Sequence, residues 1–110
     1  MLKFMVVISK RQGMSDAEFQ NYLKNIHGPL ARKLPGLRKY VQNFPQHDAG
    51  RNRPAWDAIV ELYFDDHNSM ETAWASPEGA ASDADLPLFL DLAHTTWSVV
   101  EELTVLDPRL

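Results

Sequence analysis

The sequence predicts an α+β domain whose elements run strand, helix, strand, strand, helix, strand. That order is the split β-α-β arrangement, a four-stranded antiparallel sheet with its helices on one face. Three observations carry the prediction. Four short runs rich in β-branched and aromatic residues recur along the 110 residues. Segments with helix-start signals separate the first run from the second and the third from the fourth. Hydrophobic residues make up 45% of the chain, enough for one modest core, and no repeat or linker divides it, so residues 1–110 read as a single domain.

Lys3 to Ser9 is almost continuously apolar, as a central strand is. Gly13 marks the turn after it. Ser15-Asp16-Ala17-Glu18 has the form of a capping box, in which the Ser hydroxyl accepts from the Glu amide and the Glu carboxylate reaches back. Phe19, Tyr22, Leu23, Ile26 and Leu30 then follow at helical spacing. Pro29 disfavours helical geometry at Gly28, so the helix is expected to kink or end near His27, with Leu30 to Leu34 open to resuming it. Pro35-Gly36 turns the chain into a second strand, Leu37 to Phe44, and Pro45 to Pro54 reads as an exposed loop. In the third strand, Trp56 to Phe64, one face carries Trp56, Ala58, Val60, Leu62 and Phe64. The other carries Asp57, Ile59, Glu61 and Tyr63. Asn68, with Glu71 three residues on, offers a helix cap. Pro77 can open a further helix, to which Leu86 to Leu92 supply apolar residues. Thr95 to Thr104 closes the domain as a fourth strand.

Several functions are disfavoured by composition. Without cysteine there is no disulfide framework, thiolate zinc site or thiol nucleophile. A net charge of −4 argues against nucleic acid as a partner. The run Phe4 to Ile8 is too short for a signal peptide or a membrane span, so the expected location is the cytoplasm. No two of the four histidines are spaced i, i+4 and no HExxH is present, so no metal site is expected. Dinucleotide, Walker A and serine-hydrolase motifs are absent as well. The Asp57, Ile59, Glu61, Tyr63 row is too apolar for an open surface and too polar for an ordinary core. A second copy packed against it would enclose a mixed-polarity cavity, which predicts a homodimer with a ligand site on this face.

The stretches His27-Gly28-Pro29-Leu30, Leu34-Pro35-Gly36-Leu37-Arg38-Lys39-Tyr40-Val41-Gln42-Asn43, Trp56 to Phe64 and Val100-Glu101-Glu102 resemble the EthD family, named for a protein associated with ethyl tert-butyl ether degradation. Ala58 stands where that family often has Gly. The resemblance implies a ferredoxin-like chain forming a dimeric α+β barrel. The wider group is similar to methylmuconolactone methylisomerase and to fungal polyketide dehydratases or decarboxylases, relatives that need no metal or organic cofactor. In the methylisomerase the histidine at the place of His27 is associated with the active site, and the resemblance also places Tyr40 at the pocket.

On these grounds the candidate catalytic residues are His27, Tyr40 and Asp57. A histidine near its neutral pKa can take or give a proton; the competing role for His27 is to bond helix-end carbonyls. A tyrosine hydroxyl can hold a carbonyl or lactone oxygen, or Tyr40 can simply pack on the sheet. Asp57 and Glu61 are four strand residues apart, about 13 Å, too far to share a proton, so Asp57 would act alone and Glu61 reads as a cross-strand ion pair. Candidate substrate contacts are Arg38 for a carboxylate or enolate, Gln42 beside Tyr40, Ile59 and Tyr63 on the sheet face, and Trp97 for a flat ring. The leading reading is an isomerase, lyase or related proton-transfer enzyme that uses no cofactor and acts on a lactone or aromatic polyketide-like ring. Its rival is a non-catalytic accessory protein that sequesters a hydrophobic intermediate. A haem site would require His27 or His94 inside the cavity, and nothing in the sequence demands one.

Overall fold

In a computed structural model residues 1–109 are described. The apolar run after Met1 forms β1 (Leu2–Ile8), flanked by β3 (Ala58–Phe64) and β4 (Thr96–Glu101); β2 (Lys39–Asn43) lies outside β3. The order is β2-β3-β1-β4 and every pairing is antiparallel. The register places Val6 opposite both Val60 and Trp97, and Tyr40 opposite Leu62. Because side chains alternate across a strand, Tyr40, Gln42 and Trp97 share the face of Val6, Val60 and Leu62.

That face carries the helical layer: α1 (Asp16–Tyr22), a π-helical turn over Leu23–His27, α2 (Gly28–Ala31), α3 (His67–Ala75) and α4 (Pro77–Asp85). The core lies between the layers, where Phe19, Leu23, Phe64 and Phe89 are fully buried. The capping box at Ser15 and Glu18 forms with both of its bonds.

One local expectation is met in one of its two forms, and two are revised. Of the alternatives at His27, the helix distorts there and resumes as α2 rather than ending. Pro29 has no N–H to offer the Asn25 carbonyl four residues back, and the turn widens, with the Gly28 N–H bonding Leu23 O, five residues back. The third helix is capped by Asp66, whose carboxylate accepts from the Ser69 N–H at 2.7 Å, so it starts ahead of Asn68. The apolar residues after Asp85 form a short 3₁₀ turn and a bridge from Leu90 to Lys10 rather than more of α4.

The barrel is also corrected. The sheet is open, with β2 and β4 as free edges. Closing strands into a barrel wide enough to hold even a packed interior takes about eight of them. The chain's cavity therefore lies between sheet and helices, not inside a barrel.

Candidate functional site

The π-helical turn sets the site. On an α-helix, residues five apart sit about 140° from one another. The wider turn through Leu23–His27 brings Tyr22 and His27 to one partner, Asp85, at the end of α4. The Tyr22 hydroxyl donates to Asp85 Oδ1 at 2.7 Å, and His27 Nδ1 lies 2.9 Å from Asp85 Oδ2. An ionised carboxylate only accepts, so Nδ1 carries the proton and Nε2 keeps its lone pair. Among the described residues no sealed side-chain nitrogen or oxygen lacks a partner. Nε2 makes no bond within the chain, so it opens onto the cavity that His27 lines.

Burial holds the His27 pKa below its ordinary value, against the opposing pull of Asp85. The imidazole is thus neutral at pH 7 and its Nε2 is a proton acceptor. Tyr22 is pushed up to about 12, first by its bond to Asp85 and then by burial. Phe89 supports both rings, with centroids 4.9 Å from Tyr22 and 4.7 Å from His27.

The cavity has a volume of about 260 Å³. Its wall is mostly apolar, drawn from Val6, Val60, Leu62, Phe89 and Trp97, with His27, Tyr40, Ser82 and Asp83 as the polar points. Tyr40 reaches it from β2. Gln42 Nε2 donates to the Tyr40 hydroxyl at 3.0 Å and to Leu23 O at 2.9 Å. The hydroxyl oxygen is thereby an acceptor within the chain, which leaves its proton for another group. Burial raises the Tyr40 pKa, so it stays protonated. One neutral base and one neutral donor therefore share an apolar chamber.

The remaining sequence candidates lie elsewhere, apart from Gln42 and Trp97. Trp97 lines the cavity from β4 and is 40% exposed. Gln42 orients Tyr40. Arg38 is exposed and pairs with Asp65 in a two-pronged contact at 3.1 and 2.9 Å. Asp57 is bound to the chain just before β3: it accepts from the Lys10 N–H at 2.8 Å and faces Arg53 at 3.6 Å. It is not part of this cavity. Ile59 and Tyr63 point to the opposite face of the sheet. There the chain covers its own aromatic ring: Lys3 and Lys39 each place an ammonium 5.3 Å from the Tyr63 centroid, and the Tyr63 hydroxyl donates to Glu102 at 2.9 Å. Lys3 bridges Glu61 and Glu102 at 2.8 and 2.7 Å, the ion pair expected of Glu61. Asp85 and Tyr22 are the functional residues that sequence reasoning missed. Only foreknowledge of the π-helical turn would have aligned Tyr22 with His27, and nothing local marks Asp85.

An EthD domain model matches residues 11–93. The chain belongs to the EthD family. It is 28% identical over 103 residues to an uncharacterised 11.0 kDa protein from the thcB–thcC intergenic region of Rhodococcus erythropolis, covering 94% of this chain and 98% of that one. An EthD-family crystal structure from Bacillus halodurans superposes with a TM-score of 0.81 at 28% identity, over 94% and 99% of the two chains. Two more distant structures show the same ferredoxin-like fold. One is a dimeric protein from Bacteroides fragilis (TM-score 0.67, 16% identity, covering 92% and 95%). The other is SnoaB, a cofactor-independent oxygenase of Streptomyces nogalater (TM-score 0.65, 12% identity, covering 96% and 95%). The last of these comparisons shows a shared fold with a cofactor-independent oxygenase. Among the described residues no helix is long and apolar enough to cross a membrane.

Proposed function

We propose that the chain is an acid–base catalyst of the isomerase or lyase type, acting on a compact oxygenated ring such as a lactone. The observation that carries this is the neutral His27 held through Nδ1 by Asp85, with Nε2 open to the cavity it shares with Tyr40. His27 takes a proton from a carbon next to a carbonyl. Tyr40 donates its hydroxyl proton in a hydrogen bond to the developing enolate oxygen. The imidazolium returns the proton to another carbon in an isomerisation, or to a departing oxygen in an elimination. The chamber of about 260 Å³ falls just below the range of pockets that hold drug-sized ligands, which favours one ring over a fused polycycle.

The test is solvent exchange. A panel of small lactones and cyclic ketones is incubated with the protein in D₂O and followed by proton NMR. At least one member should exchange its α-hydrogen or isomerise, His27→Ala should abolish this while the fold is kept, and Tyr40→Phe should slow it about tenfold or more. Turnover surviving in His27→Ala would overturn the reading. The rival reading, a binding protein for a hydrophobic intermediate, draws on the mostly apolar wall; it expects ligand to bind with no exchange and His27→Ala to leave binding intact.

The partner we propose is a second copy, seated on the sheet face that carries Ile59. The dimeric relative from Bacteroides fragilis shares the fold, and Val7, Ile59 and Val41 on that face are only partly buried by the chain itself. Sedimentation should show two chains, and Ile59→Glu should shift it to one.

A further inference from the structure

Between Glu18 and Asp48 the chain has no acidic residue, yet it carries Lys24, Arg32, Lys33, Arg38 and Lys39, five of its eleven Lys and Arg. In a protein of net charge −4 this is a marked separation of charge. The fold gathers all five around one open groove of about 980 Å³, floored by Gly28, Pro29 and Leu37 and ending at Tyr40 and Gln42. Arg38 is neutralised by Asp65. Lys24 leans on the ring of Phe44, which leaves its charge in place, whereas Lys39 borders the groove with its stem and turns its ammonium over Tyr63 on the opposite sheet face. Arg32 and Lys33 have no ion pair among the described residues. Proximity to the end of α2 accounts for Arg32 and Lys33, since cations favour helix C-termini, but not for Lys24 in the preceding turn. Three like charges around one concavity repel each other unless an anion sits among them.

We propose that this groove is a binding site for a multiply charged phosphate ester, separate from the helix-side cavity and divided from it by Tyr40. Three unneutralised cations, Lys24, Arg32 and Lys33, match a ligand with several negative charges better than a single carboxylate, and a concave floor suits a small molecule better than the flat surface of a protein. Tyr40 lines both spaces, so a ligand's phosphate end can lie in the groove while the chamber beside it stays available.

The experiment is calorimetric titration of the full chain with pyrophosphate and, separately, coenzyme A. Both should bind at low salt and weaken about tenfold or more as salt rises from ~20 to ~200 mM. Arg32→Glu with Lys33→Glu should weaken binding about a hundredfold, roughly tenfold per lost charged contact. A control of equal charge change, Arg51→Glu with Arg109→Glu, should leave it near the parent value, and so should His27→Ala, which separates this proposal from the catalytic one. Tighter binding of coenzyme A than of pyrophosphate would mark a nucleotide-type carrier; equal binding would mark a free phosphorylated small molecule. The proposal is overturned if neither probe saturates by about 10 mM, or if the control pair weakens binding as much as the groove pair does.

Discussion

Asp85→Ala is the most informative single change, because two side chains depend on that carboxylate. Removal orphans the Tyr22 hydroxyl, now 2.7 Å from Oδ1, and His27 Nδ1, now 2.9 Å from Oδ2. The His27 and Asp85 side chains are 8% and 11% exposed, so water does little to replace the lost bond at the imidazole. Each unsatisfied buried polar group costs about 1–3 kcal/mol, and Tyr22, only half-buried, recovers part of its share from solvent. The sum is about 2–4 kcal/mol, a fall in melting temperature of about 8–16 °C for a domain of this size. Thermal unfolding by circular dichroism at pH 7.5 measures it. Asp85→Asn keeps one acceptor oxygen and should lose about half as much. In either variant spectrophotometric titration should show one tyrosine moving from about 12 down towards the ordinary phenol value near 10, since the bond that raises Tyr22 is gone. A melting temperature within about 2 °C of the parent, with an unchanged tyrosine titration, would refute the assignment of Asp85 as the anchor of His27.

Three further outcomes follow from the geometry. The folded state holds His27 neutral below its ordinary pKa of about 6.5, so the unfolded chain binds more protons there; this stability is present above about pH 6.5, is lost as pH falls through the lowered folded value, and should be absent in a His27→Phe scan of unfolding against pH. Gly79→Ala should destabilise by about 1–3 kcal/mol in a urea titration, because a Cβ there would strike the carbonyls of Ala73 and Trp74 where α4 folds back on α3. Lys3→Ala should cost more than Lys3→Met when both are melted, since each strands Glu61 and Glu102 but only methionine keeps the stem over Tyr63; equal melting temperatures would show that the stem contributes nothing.

The element order, the capping box and the split of the third strand into an apolar and a mixed face were legible in the residues themselves, because strand alternation and helix caps are local chemistry. His27 and Tyr40 were also legible as candidates, by residue type and by resemblance to the EthD family, and Trp97 by residue type alone. What the sequence could not supply was the partner of His27. Asp85 lies 58 residues away, and Tyr22 aligns with His27 only because the turn ahead of Pro29 widens to the π form. Asp57 looked able as a base too, but the fold ties it to the Lys10 amide, outside the cavity that His27 and Tyr40 line. The mixed row Ile59, Glu61, Tyr63 invited a pocket beneath a second copy, whereas Lys3, Lys39 and Glu102 of the same chain already occupy the space around Tyr63. Local propensity therefore determined which segments became strands and helices. Which face of the sheet opened into a chamber, and which acid reached which base, depended on contacts between residues far apart in the chain, and those exist only once the layers have packed.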